Sequence, residues 1–252
     1  MPVLELDRVT LSFGGLTVLN EVSFAVEPAQ LFALIGPNGA GKTSIFNCIS
    51  GIYAPRGNIR FGSRDIVGLR PHEVARMGIA RTFQHGEIFP QMSVLDNLLT
   101  ARHGLIRTNP ISEMLRSSNV RRIEERHRAR VDELLYFMEL ERYRAAIVGD
   151  MPFGFQKIVG FARALAAEPK LLLTDEPSAG LSRGEREDLA YFMMKIKDEI
   201  GIAIVWVEHD MQMVADLADR VHVLDYGRSL SEGSPGAVLN DAEVIKAYLG
   251  TT

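Results

Sequence analysis

The chain has 252 residues, of which 46% are hydrophobic and 24% are charged, and its formal net charge is −4. This ordinary globular mixture fits one large domain, and the mild acidity argues against a nucleic-acid backbone as partner. The single cysteine, Cys48, excludes a disulfide framework within the chain and is predicted to be a small core residue. No apolar run reaches the roughly 18–20 residues that span a bilayer, and no signal peptide opens the chain, so we expect a cytoplasmic protein.

The first part of the chain alternates in hydrophobicity and predicts paired strands. Residues 3–13 predict one strand, Val22, Phe24 and Val26 belong to its partner, and Gly14-Gly15 supplies the turn. Residues 57–66 predict a further exposed strand pair. A small antiparallel sheet is therefore expected on both sides of the segment between these regions.

That segment carries the clearest motif in the chain. Residues 36–43 have the sequence GPNGAGKT and lie between the apolar run Leu31–Ile35 and an amphipathic helix. This is the pattern G-x-x-x-x-G-K-[ST], in which glycines let backbone N–H groups approach phosphate oxygens closely. The helix N-terminus adds partial positive charge, Lys42 adds a full charge for the β- and γ-phosphates, and the Thr43 hydroxyl can hold Mg²⁺. The residues predicted to bind the nucleotide here are Gly36, Pro37, Asn38, Gly39, Ala40, Gly41, Lys42, Thr43 and Ser44.

The rest of the chain predicts a helical lobe inside an α/β fold. Residues 71–78 predict a short helix, and 79–83 predict a strand that ends at Gln84. Residues 94–140 have helical spacing and many charges, with an irregular insertion at 107–119. From Gly154 onward, helices and apolar strands alternate, which indicates a parallel sheet. The predicted strands there are 171–174, 202–207 and 221–224, and the predicted helices are 157–167, 184–201, 211–219 and 241–249.

Two acidic residues follow the apolar run 171–174. Ligands of open α/β sheets bind at the carboxyl ends of the strands, which is where Asp175 and Glu176 stand. Asp175 is predicted to hold Mg²⁺, and Glu176 is predicted to polarise the water that attacks the γ-phosphate. The alternative is a solvated acidic turn, which the phosphate-binding motif upstream disfavours.

Three further side chains are candidates for the same site. His209 ends a second apolar strand, where its imidazole can contact the γ-phosphate. Gln84 ends a third strand, where its amide can bind Mg²⁺ or the attacking water. Phe13, at the tip of the predicted hairpin, can stack on an adenine because every base offers a π-face. Taken alone, each of these residues also fits a structural role.

These features, in this order, resemble the ATP-binding subunits of ABC transporters, and the resemblance covers almost the whole chain. It implies the ABC ATPase fold, an α/β P-loop NTPase (RecA-like) core with an antiparallel β-subdomain and a helical subdomain. The core and β-subdomain are expected at about 1–84 and 157–252, and the helical subdomain at about 85–156, within one domain of residues 1–252. The resemblance implies ATP and Mg²⁺ as ligands. The implied roles are adenine binding for Phe13, phosphate binding for Lys42, Mg²⁺ binding for Thr43, Gln84 and Asp175, general base for Glu176 and γ-phosphate contact for His209.

The family's arrangement pairs two such subunits head to tail, with each ATP between the phosphate loop of one and the signature segment of the other. The signature LSGGQ falls here on residues 151–155, MPFGF, where Gly154 alone is retained. Gly154 and the N-terminus of a helix beginning near Gln156 are expected to face that γ-phosphate. Pro152 offers neither a hydroxyl nor a backbone N–H, which predicts a weaker contact across the dimer. Ser182 stands where the family usually has an aspartate.

A narrower resemblance is to the branched-chain (hydrophobic) amino acid importer ATPases. It is carried by FGGLTVLNEVSF, GIARTFQHGEIFPQMSVLDNLL, the basic insertion near 105–130, DEPSAGL and VIKAYLG. It implies a peripheral subunit on the cytoplasmic face of the inner membrane, with two permeases and a second ABC ATPase in a homo- or heterodimer. A solute-binding protein outside the cytoplasm would act indirectly, and residues 85–98 are predicted to receive a permease helix. No residue of an ATPase contacts the cargo, so the solute stays open.

Three other functions compete with this prediction. A non-transport ABC protein acting on ribosomes or DNA normally carries two ATPase units in one chain or long coiled-coil arms. A nucleotide kinase would need an acceptor site and an arginine lid, and would not explain Gln84, Gly154 and His209 together. A degenerate subunit that binds ATP for an active partner is favoured by Pro152 and disfavoured by Glu176 and His209.

Overall fold

A computed structural model describes residues 1–82, 88–105 and 118–249 of the chain. The chain divides into two compact units, Met1–Gln84 with Lys170–Thr252, and His85–Pro169. We call these the core unit and the helical unit. Gln84 and most of the predicted insertion at 107–119 lie outside the described residues, so the prediction made for each is untested by the structure.

The strands are β1 (Leu4–Phe13), β2 (Leu16–Val26), β3 (Leu31–Ile35), β4 (Arg56–Phe61), β5 (Arg64–Asp65), β6 (Ile79–Thr82), β7 (Leu171–Asp175), β8 (Ala203–Val207), β9 (Arg220–Asp225) and β10 (Arg228–Gly233). The helices are α1 (Lys42–Ile49), α2 (Pro71–Arg76), α3 (Val94–Ala101), α4 (Ser118–Phe137), α5 (Phe153–Ala166), α6 (Arg183–Lys195), α7 (Met211–Leu217), α8 (Pro235–Leu239) and α9 (Ala242–Leu249). Short 3₁₀ turns occupy Arg102–Leu105, Glu141–Tyr143 and Val148–Asp150, and a π-helical turn, Ile196–Ile200, extends α6.

An antiparallel sheet in the core unit has the order β2-β1-β4-β5 among the described strands. Its first two strands form the predicted hairpin, with Leu4 opposite Val26 and a turn at Gly14-Gly15. The inward side chains of β1 alternate with outward polar ones, which is the pattern of a sheet packed on one face. The predicted antiparallel sheet is confirmed.

The second sheet of the core unit has the order β10-β9-β3-β8-β7-β6 among the described strands. It is parallel from β9 to β6, as predicted, and every residue of β3, β7 and β8 is buried. Such uninterrupted burial is typical of parallel strands covered on both faces. The antiparallel edge strand β10 was not predicted, because its sequence RSLSEG is polar and half of its residues are exposed.

The helical unit is held together partly by polar side chains. Asn97 is fully buried, and its amide oxygen accepts the Phe89 backbone N–H at 2.7 Å while its nitrogen donates to the Phe89 carbonyl at 3.0 Å. Arg102 is 5% exposed and donates to the Ala166 carbonyl at 2.8 Å and to the Glu168 carboxylate at 2.9 Å. These bonds join the end of α3 to the end of α5. None of the described helices combines the length and the apolar composition required to cross a membrane.

Cys48 lies on the buried face of α1 with 2% of its surface exposed, so the prediction of a core residue is confirmed. Burial raises the pKa of the Cys48 thiol to about 12. Because the thiolate is the reactive form, its fraction at pH 8 should be roughly a thousandfold below that of an exposed thiol.

We therefore expect Ellman's reagent to react with Cys48 only after unfolding. The chain has one cysteine, so the absorbance change reports this site alone. The measurement compares the reaction rate in buffer and in 6 M guanidinium chloride. Comparable rates in the two solutions would contradict the buried placement of α1.

Candidate active site

The phosphate-binding motif forms the loop between β3 and α1. Gly36, Gly39 and Gly41 have φ values of 149°, 81° and 107°, in the region that favours glycine. A Cβ added to Gly36 would overlap the Leu224 carbonyl oxygen, and one added to Gly41 would lie 2.7 Å from a Leu19 methyl carbon. The loop therefore needs glycine both for its conformation and for its close approach to neighbouring chain.

The charges at the start of α1 favour an anion. Gly41 is the N-cap residue, and the first turn contains no acidic residue. The first N–H groups of a helix have no partner within the helix and carry partial positive charge. Thr43 in this turn is exposed and Ser44 is partly exposed. A phosphate group would fit this end of the helix, with hydroxyl oxygens close by.

Lys42 is the buried cation of the loop. Its side chain is 7% exposed, and its Nζ donates to the carbonyl oxygens of Gly36 at 2.6 Å and Pro37 at 3.0 Å. Burial lowers the pKa of Lys42, and the carboxylates of Glu176 and Asp175 act in the opposite direction. The Lys42 ammonium group therefore already faces the loop, and it interacts electrostatically with both acidic residues.

Strand order brings the acidic residues to this loop. In the sheet, β3 pairs with β8 and β8 pairs with β7, with Leu34 and Asp175 both opposite Val207. The Glu176 N–H donates to the Val207 carbonyl at 2.9 Å, which continues the ladder by one residue. The carboxyl ends of these three parallel strands therefore share one edge, where α/β sheets bind ligands.

Asp175 is held by an arginine that sequence reasoning missed. Arg81 Nη2 lies 3.4 Å from Asp175 Oδ2, and both side chains are 8% exposed. Another nitrogen of Arg81 donates to Asn47 Oδ1 at 2.7 Å, and its guanidinium lies 5.4 Å from the centre of the Phe46 ring. Burial raises the pKa of Asp175, and Arg81 opposes that shift. The available signal was a charged residue inside the short strand β6.

Glu176 and His209 form the more exposed part of the site. His209 Nε2 lies 3.0 Å from Glu176 Oε1, and the two side chains are 38% and 31% exposed. Glu176 has a φ of 48°, a left-handed conformation that non-glycine residues rarely adopt. Strained backbone of this kind is concentrated at functional sites. The structure thus brings together Lys42, Asp175, Glu176 and His209, as the sequence predicted.

Phe13 ends β1 and is 48% exposed. Its ring meets the Tyr53 ring edge to face, with centroids 5.1 Å apart. The ring therefore has both a structural neighbour and free surface on which a base could stack.

Gly154 belongs to the helical unit and lies in the first turn of α5. The predicted start of this helix near Gln156 is wrong, because α5 begins at Phe153. Pro152 is the N-cap residue with a φ of −53°, and its carbonyl accepts the Gln156 N–H at 3.1 Å. Its ψ of 146° is extended, so the helix begins at the next residue, and a proline at this place leaves no N–H group that needs a partner.

A second residue missed from the sequence is Glu208, between β8 and His209. It is 3% exposed and accepts a hydrogen bond from the Ser178 hydroxyl at 2.8 Å. Glu208 is also one of the residues around a cleft of about 350 Å³ that Glu176 and His209 line. A glutamate directly after an apolar strand was the signal available in the sequence.

Two family models match the chain. One, described as ABC transporter, matches residues 19–179, and the other, described as branched-chain amino acid ATP-binding cassette transporter, matches residues 228–252. The chain is 37% identical over 250 residues to the high-affinity branched-chain amino acid transport ATP-binding protein BraF of Pseudomonas aeruginosa, covering 99% of this chain and 98% of that protein. It is 35% identical to the corresponding protein LivG of Escherichia coli strain K12, with the same coverage.

Solved structures show the same likeness. The ADP conformation of an ATP-binding cassette of an ABC transporter is similar with a TM-score of 0.87 and 29% identity, covering 100% of both chains. A nucleotide-free ATP-binding cassette from an ABC transporter is similar with a TM-score of 0.86 and 29% identity, again covering 100% of both chains. The predicted fold class and the predicted family resemblance are confirmed.

The buried pair of Arg81 and Asp175 supports a stability prediction. Replacing Arg81 with Met leaves the buried Asp175 carboxylate without its arginine partner, and we expect a loss of about 3–5 kcal/mol in the free energy of unfolding. The matched control is Arg60→Met, which removes the partner of exposed Glu5 and should cost no more than about 1 kcal/mol. Urea denaturation of the nucleotide-free protein measures both values.

The double variant Arg81→Met with Asp175→Asn completes this test. Removing the charge on Asp175 should restore part of the stability lost in Arg81→Met, because no unpaired charge is then buried. Losses that simply add in the double variant would show that the two side chains do not depend on each other.

Proposed function

The chain belongs to the ABC transporter family of ATP-binding proteins, which hydrolyse ATP to power transport, and on that premise we propose that it drives an importer for branched-chain amino acids or similar small hydrophobic solutes. The observation that carries the proposal is the meeting of Lys42, Asp175, Glu176 and His209 at one edge of the sheet. We assign hydrolysis to that edge and solute transport to partner subunits.

The loop of residues 36–44 would bind the phosphates of ATP through backbone N–H groups and the positive end of α1. Lys42 would exchange its bonds to the Gly36 and Pro37 carbonyls for bonds to the β- and γ-phosphates. Phe13 would stack on the adenine. Since both the cation and the donors already face the loop, binding would need little rearrangement.

Thr43, Asp175 and Gln84 would hold Mg²⁺. Hydroxyl, carboxylate and amide oxygens are the ligands that Mg²⁺ takes, and Asp175 is a buried carboxylate of that kind. When bound, the cation supplies positive charge that offsets the charge of the β- and γ-phosphates. The assignment of Gln84 as a Mg²⁺ ligand rests on the sequence alone.

Glu176 would act as the general base that orients water and accepts its proton as the γ-phosphate is attacked. His209 would hold the Glu176 carboxylate through the 3.0 Å contact and would touch the γ-phosphate with the same ring. The solvent exposure of both groups is consistent with access for a water molecule. Positioning and charge stabilisation would carry the reaction without a covalent intermediate.

A second ABC ATPase subunit would supply the other face of each nucleotide. We propose that Gly154 and the first turn of α5 meet the γ-phosphate bound by the partner, since this 14-residue helix has no acidic residue in its first turn. Closure on ATP and opening after phosphate release would then drive the attached permeases.

Two permeases would dock on the region 85–98 of the helical unit, and a solute-binding protein outside the cytoplasm would deliver the cargo to them. Phe89 and Met92 in this region are 45% and 39% exposed. Exposed apolar side chains of this kind suit a protein interface. A peripheral place on the cytoplasmic face of the membrane follows from this docking, and branched-chain amino acid cargo is supported by the relatives BraF and LivG.

The proposed base gives the first test of function. Glu176→Gln should lower ATP turnover by about 100-fold or more, because the amide cannot accept the proton, while ATP affinity stays within about twofold. The variant should also elute as a dimer with ATP in size-exclusion chromatography. Lys42→Ala is the binding-deficient control, and Glu187→Gln on the exposed face of α6 is the matched carboxylate control with normal turnover.

Full turnover in Glu176→Gln would refute the assignment of the base. Tight ATP binding without turnover in the unmodified protein, alone and with a related ATPase, would instead favour the degenerate subunit that Pro152 suggested.

The second test concerns transport. We expect the chain to copurify with two permeases when all are expressed together, and proteoliposomes of the complex with its binding protein to take up radiolabelled leucine only with ATP. Glu176→Gln in the same complex should abolish uptake. Uptake of an amide or urea but not leucine would correct the cargo, and copurification with RNA instead of membrane proteins would contradict the transport role.

A further inference from the structure

Glu208 is a buried acid with several hydrogen bonds and no role in the reaction as described above. Its Oε1 accepts from the Ser178 hydroxyl at 2.8 Å, from the His209 backbone N–H at 3.0 Å and from the Asp210 backbone N–H at 3.4 Å. Ser178 is itself 6% exposed, so its bond to Glu208 is shielded from water. Hydrogen bonds to an ionised acceptor are stronger than neutral ones, especially where water is excluded.

These bonds connect two loops. The loop after β7 carries Glu176 and Ser178, and the loop after β8 carries Glu208 and His209. The loops also meet where the Glu176 N–H donates to Val207 and where the His209 ring contacts the Glu176 carboxylate. Together with the chain, these contacts form a closed circuit. The chain links Glu176 to Ser178 and Glu208 to His209, and hydrogen bonds link Ser178 to Glu208 and His209 to Glu176.

Only one of the two oxygens of the Glu208 carboxylate forms these hydrogen bonds. Among the described residues, Glu208 Oε2 has no hydrogen-bond partner although it is buried. An unsatisfied buried acceptor costs about 1–3 kcal/mol, and more when it is charged. A serine hydroxyl could accept a backbone N–H group without leaving a second buried oxygen unpaired, so packing alone does not explain an acid at this position.

We propose that Glu208 is a positioning residue for ATP hydrolysis. Glu208 holds the His209 ring against Glu176, and the position of that ring therefore depends on the loop that carries Ser178. The inference rests on the proposed roles of Glu176 and His209. Glu208 itself would touch neither ATP nor the attacking water. Ala179 and Gly180, next in the chain after Ser178, are exposed, so any movement of that tip would reach His209 through two hydrogen bonds.

The experiment uses the full chain with the variants Glu208→Ala, Glu208→Gln, Ser178→Ala and the double alanine variant. We expect Glu208→Ala to lower kcat by about tenfold or more while the affinity for ATP and the KM stay within about twofold, since the nucleotide binds at the phosphate loop. Glu208→Gln should recover part of kcat, because its amide oxygen can still accept the three bonds. The double variant should be no slower than Glu208→Ala, since the two side chains act through one contact.

The matched control is Glu232→Gln. Glu232 is a partly buried carboxylate that accepts from His222 and Arg220 at the β9–β10 edge of the same sheet. This variant should lose stability and keep its kcat. If Glu208→Ala loses kcat only in proportion to the fraction of unfolded protein, or if KM rises as kcat falls, Glu208 has a structural role and the proposal is wrong.

Hydrogen exchange gives a readout that does not depend on turnover. In Glu208→Ala and in Ser178→Ala, amide exchange should rise together in segments 177–182 and 209–211, and Glu232→Gln should change neither. Faster exchange confined to the mutated loop would overturn the proposed coupling. If the unmodified protein shows no ATP turnover, the proposed function fails, and the exchange result still decides whether Glu208 couples the two loops.

Discussion

The positions of the candidate site's side chains depend on the register of three parallel strands. β3, β8 and β7 are neighbours, and their pairing places Leu34 and Asp175 at the level of Val207. The loop after each strand therefore begins at the same level of the sheet. As a result Lys42, His209 and the acids Asp175 and Glu176 all lie within a few residues of one sheet edge. Because register in a parallel sheet is set by buried side chains along the whole strand, the apolar runs of this fold also determine the geometry of its polar site.

The candidate site also requires that its buried positive and negative charges balance one another. Lys42, Asp175 and Arg81 are all nearly buried, and each would be expensive to bury alone. The loop carbonyls and the two acids support the cation, and Arg81 supports Asp175. Each of these charges has a partner supplied by the chain. A triphosphate with Mg²⁺ would replace some of these partners by others of the same sign, so binding would exchange one set of charged contacts for another.

The parts of the site that could be predicted are those encoded over a short stretch of sequence. The loop of 36–44 and the pair Asp175-Glu176 each combine a characteristic residue order with an apolar strand just before it, so both chemistry and location follow. Arg81 and Glu208 could not be assigned, because their partners Asp175 and Ser178 lie 94 and 30 residues away along the chain. Which strands become neighbours is a property of the assembled sheet, and β10 was missed because a polar edge strand needs no apolar pattern.

The signature segment keeps a helix N-terminus although its sequence differs from the usual one. MPFGF lacks the serine expected at Pro152, yet a proline N-cap starts α5 at Phe153 and brings Gly154 into the first turn. The positive end of a helix comes from aligned peptide groups, which do not depend on the side chains that precede it. Compared with the serine of the usual signature, Pro152 lacks a hydroxyl group that could donate a hydrogen bond. Its ring also restricts the backbone at the residue before the helix. The proposed contact with a partner's γ-phosphate would therefore rest on the helix dipole and backbone, with one side-chain hydrogen bond fewer than in the usual signature.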